Sequence, residues 1–188
     1  SYSWRDPLEG KPEYQHKEHG RIPLDVDEAE FKEVMAFYFA LVTHIDAEVG
    51  KLMGHLEQLG LAEDTVLAFI SDHGEMLGDH GRWGKGAPYH PSVSVPLVVS
   101  GPKVGQKIVS TLPTTILDLT ATFLEYANLK IPEEMDSRSL KSLLESQTNV
   151  HRDYVFSGLK KWRMVYDGRY KLINNWQKDY LLFDTETY

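Results

Sequence analysis

The sequence contains no cysteine among its 188 residues. This absence excludes disulfide bonds, thiolate metal sites and cysteine nucleophiles, and it leaves the redox compartment undecided. No apolar run approaches the ~18 residues that would span a bilayer. The net charge of −8 argues against a nucleic-acid groove, because phosphate binding depends on clustered Lys and Arg. We therefore expect neither a membrane nor a nucleic acid among the partners.

What the sequence does contain is a short apolar run that ends in an acid and an imidazole. Residues 65–70 (TVLAFI) are rich in β-branched and aromatic side chains and too few for a helix, so they predict a buried strand. Asp72, His73 and Gly74 follow almost at once, and Lys85 lies further along in a glycine-rich loop. In open α/β sheets, ligands bind just beyond the carboxyl ends of parallel strands. A functional site is therefore expected here.

Asp72, His73 and Lys85 have the chemistry to bind an anionic ester. A carboxylate and a neutral imidazole are both metal ligands. A cation and a nearby ammonium would form an electropositive pocket for a sulfate or phosphate group. Neighbours on a regular strand point to opposite faces, so Asp72 and His73 converge only if the strand breaks, and Gly74 allows such a break. The residues alone leave a second interpretation open, in which Asp72 caps a turn, His73 is a hydrogen-bonded polar residue without a chemical role and Lys85 is a surface charge.

The rest of the chain predicts an α/β body. A helix is expected at 28–59, because a capping-box pair opens it and apolar residues recur at three- and four-residue steps. A second helix is expected at 113–127. Both should pack on the faces of a largely parallel sheet whose strands lie near 65–71 and 95–100.

An antiparallel tail should follow this body. Four short strand-like runs lie between residues 154 and 183, and Asp167-Gly168 between the second and third is a two-residue hairpin signal. The fold class is thus α/β, with a partial, largely parallel sheet flanked by helices and a small C-terminal antiparallel sheet. The expected regions are an extended segment at 1–27, the α/β half domain at 28–145 and the antiparallel subdomain at 146–188.

Several long motifs resemble one family. The run SDHGEMLGDHGRWGKGAPYHPSVSVPLVVSGP resembles the sulfatases of the alkaline phosphatase superfamily, including arylsulfatases and the related phosphonate monoester hydrolases. Other stretches resemble the same family in the same order. They are YFALVTHIDAEVGKLMGHLEQLGLAEDTVLAFISDHG, STLPTTILDLTATFLEYANL with DSRSL, and RMVYDGRYKLI with LLFD. The resemblance covers about residues 30 to 186 and implies an alkaline-phosphatase-like fold.

The resemblance also implies roles for matching residues. Asp72 and His73 fall where the family places two ligands of its divalent cation, and Lys85 falls where a lysine contacts the sulfate or phosphate. Many sulfatases have Asn at the position of His73 and bind calcium. Calcium is therefore expected first, with manganese or zinc as alternatives because histidine nitrogen suits them better. His90 is a candidate for the substrate entrance and otherwise, like His80, a loop residue.

One family element is absent. The family nucleophile is the first residue of a Cys/Ser-x-Pro-x-Arg motif, converted to formylglycine in sulfatases, and no such motif occurs here. The leaving-group histidine of the family is not assigned to His16 or His19, because its surrounding motif is missing. We expect the chain to be the carboxyl-terminal portion of a sulfatase, with formylglycine in the missing amino-terminal half. Alone, it should be inactive.

Three functional hypotheses follow from these residues. The first is a metal-dependent sulfatase that acts on a sulfate ester. The second keeps the architecture but makes the substrate a phosphonate monoester or phosphodiester. The third is a non-catalytic truncated module. A homo-oligomer could form through an exposed sheet edge. The sequence itself does not give the compartment, whereas the resemblance implies export to the periplasm, the extracellular space or a lysosome.

Overall fold

The structure is a computed structural model that describes residues 26–174 and 180–187. The extended segment predicted at 1–27, including His16 and His19, lies outside the described residues except for its last two positions. The helices and strands are, in chain order, α1 (Glu28–Gln58), β1 (Leu67–Ile70), α2 (His90–Val93), β2 (Leu97–Ser100), α3 (Asp118–Tyr126), α4 (Lys141–Leu144), β3 (Val155–Leu159), β4 (Trp162–Tyr166), β5 (Tyr170–Asn174) and β6 (Tyr180–Asp184).

The first sheet has two described strands, and they are antiparallel. Leu67 pairs with Ser100 and Ile70 pairs with Leu97. The expectation of a largely parallel sheet is therefore wrong for this pair. A parallel neighbour needs a crossover connection that carries the chain back along the sheet, usually through a helix. The connection at 71–96 contains only single helical turns and stays at the carboxyl end of β1, so β2 starts there and runs back.

Helix α1 begins as its sequence predicts. The Asp27 carboxylate accepts hydrogen bonds from the amides of Ala29 (2.8 Å) and Glu30 (2.9 Å), and the Glu30 carboxylate accepts one from the Asp27 amide (3.0 Å). These bonds satisfy donors that have no partner inside the helix. Gly60 follows the helix end with φ of +68°, a conformation that favours glycine.

The apolar stripe of α1 is not buried as expected. Phe31 is buried and stacks on Trp83 with ring centroids 5.2 Å apart. Most of the other predicted core-facing residues are exposed, namely Val34, Tyr38, Leu41, Val42, Ile45, Leu52, Met53 and Leu59. Periodicity shows that a helix has an apolar face but not what covers it. No sheet face of the described residues packs along this stripe, so the expected packing of α1 on a sheet is wrong here.

The amino end of α3 is organised around one buried carboxylate. Asp118 is 0% exposed and accepts hydrogen bonds from the backbone amides of Thr115 (3.1 Å) and Arg138 (2.9 Å). It also accepts from Arg152 Nε (3.0 Å) and His151 Nε2 (3.0 Å). The DSRSL segment is thus tied to α3, and the helix begins five residues later than the predicted start at 113.

The C-terminal sheet has the predicted antiparallel order β3-β4-β5-β6. Asp167-Gly168 forms the turn between β4 and β5, with Gly168 at φ of +101°. Alternation along the strands places Trp162, Met164 and Ile173 on one buried face. Lys171, two residues before Ile173, is buried as well. This face packs against the segment that follows β1.

We predict that Asp118→Asn destabilises the fold by about 3 kcal/mol, because it leaves the largely buried Arg152 guanidinium without this counter-charge. Burial raises the pKa of Asp118, but hydrogen bonds from Arg152 and His151 outweigh burial and bring the pKa below its ordinary value. Such a carboxylate contributes stability above its unfolded pKa of about 4 and loses it as pH falls through the folded pKa.

Urea unfolding of wild type and Asp118→Asn at pH 7 and pH 3 would measure both effects. The stability difference should be large at pH 7 and smaller at pH 3. Asp153→Asn, which changes an exposed carboxylate beside the same arginine, is the control and should cost less than about 0.5 kcal/mol. Equal stabilities for all three proteins at pH 7 would contradict the account.

Candidate functional site

β1 ends at Ile70, and Gly74 lies in the irregular segment that follows it. A Cβ at this residue would lie 1.8 Å from the Pro91 carbonyl oxygen, so only glycine fits. The Gly74 amide donates a hydrogen bond to the Ser92 carbonyl at 2.9 Å. The end of β1 is thereby held against α2. The strand break that the sequence predicted is present, but it comes at Ile70, four residues earlier than Gly74.

Asp72 and His73 converge because of this break. Asp72 Oδ1 lies 3.5 Å from His73 Nε2. The other ring nitrogen, Nδ1, lies 2.8 Å from the Gly74 carbonyl, which can only accept, so Nδ1 carries the proton. Nε2 therefore carries a lone pair that can accept a hydrogen bond or bind a cation. Both side chains are open to solvent, with exposed fractions of 82% for Asp72 and 37% for His73.

The glycine-rich loop returns Lys85 to the same place. The Glu75 carboxylate accepts a hydrogen bond from the Gly84 amide, and the Met76 amide donates to the Gly84 carbonyl at 2.8 Å. These bonds close the loop, so Lys85, which follows Gly84, lies beside the residues at which the loop begins. Lys85 Nζ contacts His73 Nε2. The structure therefore brings Asp72, His73 and Lys85 together, while their roles remain predictions.

The three residues lie in a cavity of about 480 Å³. His90 lines this cavity, whereas His80 stacks on Tyr89 with ring centroids 4.0 Å apart. Desolvation and then the charge of Lys171 lower the pKa of His90, although much of the residue remains open to solvent. A neutral imidazole at pH 7 can both donate and accept a hydrogen bond. The opposite wall comes from residues 111–116 and from β3 and β4.

Two cavity-lining residues of the C-terminal sheet were missed by the sequence interpretation. Trp162 Nε1 donates to the Gly86 carbonyl at 3.0 Å, and Lys171 Nζ donates to the Pro88 carbonyl at 3.0 Å. Burial lowers the pKa of Lys171 to about 8. The available signal was alternation in β5, which places Lys171 on the inward face with Ile173. A lysine at an inward position of a strand needs a partner, and the sequence does not say which.

The donor set fits part of a divalent-cation site. A carboxylate oxygen and an imidazole nitrogen 3.5 Å apart can both lie within about 2.5 Å of one ion. A metal-binding histidine usually donates its other ring N–H to a carbonyl, as Nδ1 does here to Gly74, and Nε2, which contacts Lys85 Nζ in this structure, would then be the ligand. Among residues 26–174 and 180–187, no group of three or more acidic or histidine side chains could hold a metal. The pair therefore fits as two ligands of a larger set.

We predict that Gly74→Ala destabilises the protein by at least 2 kcal/mol, since the added Cβ would overlap the Pro91 carbonyl oxygen. Gly86→Ala in the same loop is the control, because an added Cβ there meets nothing within 4 Å. Thermal unfolding of both variants measures the difference. A Gly74→Ala protein as stable as Gly86→Ala would show that the close approach is not required.

The sulfatase family model matches residues 5–129, and the model for the C-terminal region of N-sulphoglucosamine sulphohydrolase matches residues 78–187. An arylsulfatase of Clostridium perfringens is 33% identical over 136 residues, which cover 69% of this chain and 28% of the relative. A choline-sulfatase of Rhizobium meliloti is 36% identical over 129 residues, 69% of this chain and 25% of the relative. The chain thus spans about a quarter of the length of these relatives.

A solved structure gives the same result for the fold. The phosphonate monoester hydrolase from Silicibacter pomeroyi superposes with a TM-score of 0.81 and 28% identity, covering 86% of this chain and 37% of that one. The alkaline-phosphatase-like fold that the motifs predicted is confirmed at this level. In the described residues, no helix has both the length and the apolar character needed to cross a membrane. The matches along the chain, taken with this fold, show that it belongs to the sulfatase family of the alkaline phosphatase superfamily.

Proposed function

We propose that this chain carries part of the active site of a metal-dependent sulfuric ester hydrolase. The observation that supports the proposal most directly is the convergence of Asp72, His73 and Lys85 in one open cavity. Two potential metal ligands and an ammonium lie within contact distance at the end of a strand. The similarity to an arylsulfatase and a choline-sulfatase suggests the sulfate ester as the substrate class.

The proposed roles follow from the chemistry of each side chain. Asp72 and His73 would hold a divalent cation, which would polarise the ester oxygens when bound. Calcium is the first choice by family, and manganese or zinc is favoured by the imidazole ligand. Lys85, which is exposed, would neutralise a non-bridging sulfate oxygen as charge develops. His90 would bind the substrate in its neutral form.

We further propose that the nucleophile and the remaining metal ligands lie outside this chain, which alone would not turn over substrate. The sequence has no cysteine and no Ser-x-Pro-x-Arg motif. The described residues offer two converging ligands rather than a full set, and the relatives are about four times as long as the aligned segment. Export of the whole protein belongs to the same proposal and derives from the family resemblance.

A second candidate function is hydrolysis of a phosphonate monoester or phosphodiester. The similarity to a phosphonate monoester hydrolase at 28% identity favours it. His73 and Lys85 are equally compatible with a phosphoryl oxygen, because an ammonium acts as a point charge on either anion. A non-catalytic module would have the same fold but would not need to bind a cation at Asp72.

We predict that the chain binds Mn²⁺ weakly through Asp72 and His73, with a dissociation constant on the order of 1 mM, because two ligands form only part of a site. Asp72→Asn should weaken binding at least tenfold, or ~1.4 kcal/mol. Calorimetric titration with Mn²⁺, Ca²⁺ and Zn²⁺ measures these affinities. Asp64→Asn, an exposed carboxylate before the other end of β1, is the matched control. Binding that is equal in the two variants would remove Asp72 from the cation site.

A second prediction concerns turnover. In the longest open reading frame that includes this sequence, Lys85→Ala should lower kcat/KM for 4-nitrophenyl sulfate by roughly 10²–10³-fold, the usual loss for one group that stabilises transition-state charge. Lys130→Ala, which removes an exposed lysine that pairs with the exposed Glu133, should leave the rate unchanged.

The same assay with 4-nitrophenyl phenylphosphonate separates the two hydrolase candidates, because the leaving group is identical. A higher kcat/KM for the sulfate ester supports the sulfatase, and a higher value for the phosphonate supports the alternative. Wild-type rates in Lys85→Ala would contradict the role proposed for this lysine. No hydrolysis of either ester would favour the non-catalytic module.

A further inference from the structure

The loop that carries Lys85 is contacted from the C-terminal sheet at two backbone atoms. Trp162 Nε1 donates to the carbonyl of Gly86, and Lys171 Nζ donates to the carbonyl of Pro88. Each donor is separated from its acceptor by more than 70 residues in sequence, 76 and 83 respectively. Both donors are buried, with exposed fractions of 7% for Trp162 and 6% for Lys171. The Lys171–Pro88 bond is buried, and the Trp162–Gly86 bond is partly buried.

These two hydrogen bonds fix both the orientation of the 86–88 segment and its distance from the C-terminal sheet. A single bond at Gly86 would leave the segment free to rotate about that contact, and the second bond at Pro88 removes this freedom. From the opposite side, the Ser92 hydroxyl donates to the Lys85 carbonyl at 2.7 Å. The backbone on either side of the Lys85 side chain is thus held, while the ammonium itself stays exposed.

Stability alone does not account for a lysine at position 171. The ammonium is buried against a neutral carbonyl and over the ring of Phe183, with Nζ 5.4 Å from the ring centroid. Burial of an ammonium against a neutral carbonyl costs free energy, and the pKa of Lys171 is accordingly lowered to about 8; within residues 26–174 and 180–187, no carboxylate forms an ion pair with it. An apolar side chain such as methionine would pack on this face without that cost. What methionine could not supply is the hydrogen bond to Pro88.

We propose that Trp162 and Lys171 are positioning residues for Lys85: the C-terminal sheet clamps the 85–88 backbone so that the Lys85 ammonium is held beside His73. The proposal rests on the anion-binding role proposed above for Lys85. Lys171 acts on Lys85 through the loop, because its ammonium donates to the Pro88 carbonyl. The antiparallel sheet is therefore a part of the active site's support, although it contributes no group to the chemistry.

Hydrogen–deuterium exchange of the 188-residue chain tests the clamp without any turnover. Lys171→Met should raise the exchange rate of the amides in 84–90 at least tenfold while leaving the β1–β2 amides unchanged. Trp162→Phe, which keeps an aromatic ring and removes only the donor, should have the same effect with a smaller amplitude. Lys161→Met, at an exposed lysine of the β3–β4 turn, is the control. Unchanged exchange in 84–90, or an equal rise throughout the chain, would overturn the proposal.

A double-mutant cycle in the open reading frame described above tests the consequence for Lys85. Lys171→Met alone should lower kcat/KM about tenfold. In a Lys85→Ala background the same change should lower it less than twofold, because there is no ammonium left to position. A tenfold loss in both backgrounds would mean that Lys171 acts independently of Lys85 and would overturn the clamp. If no ester is hydrolysed, the proposed function fails, and the exchange experiment still decides whether the clamp exists.

Discussion

The close approach of Gly74 to the backbone of α2 is the constraint on which the rest of the site depends. A side chain at this residue would overlap the Pro91 carbonyl, and the Gly74 amide bonds the next carbonyl, that of Ser92. Because β1 already ends at Ile70, Asp72 and His73 do not alternate across a sheet, and Asp72 Oδ1 lies 3.5 Å from His73 Nε2. The same contact holds the start of α2. Lys85 lies in the loop between Gly74 and α2. One backbone contact therefore brings an acid, an imidazole and an ammonium together.

The antiparallel pairing of β1 with β2 keeps the connection between them at one end of the sheet. Since the connection never crosses the sheet, all of its residues stay at one end, and the loop is closed by bonds from Glu75 and Met76 to Gly84. The loop has no regular element of its own beyond single turns. Its outer side is supported by the C-terminal sheet through Trp162 and Lys171. The appended sheet and the α/β body thus meet at the segment where the proposed chemistry takes place.

Local signals predicted the features that depend on neighbouring residues. The capping box at Asp27 and the hairpin at Asp167-Gly168 are present, because both are decided within four or five residues. Features that depend on distant partners were not predictable in the same way. Short apolar strands do not encode the direction of their neighbour, and the stripe of α1 does not specify what covers it. Asp118 and Lys171 looked ordinary, since the side chains that pair with Asp118 lie 33 and 34 residues away and the carbonyl that Lys171 bonds lies 83 residues away. The family motifs indicated which residues form the candidate site, and the structure shows how these residues are arranged.

The central claim is that Asp72 and His73 face a common cation beside Lys85. Anomalous diffraction from crystals grown with Mn²⁺ tests it most directly, because it locates the ion independently of any assay. The account predicts an anomalous peak within about 2.5 Å of both an Asp72 carboxylate oxygen and His73 Nε2. A fully ordered loop with no peak at this pair, or with Mn²⁺ bound elsewhere in the chain, would contradict it.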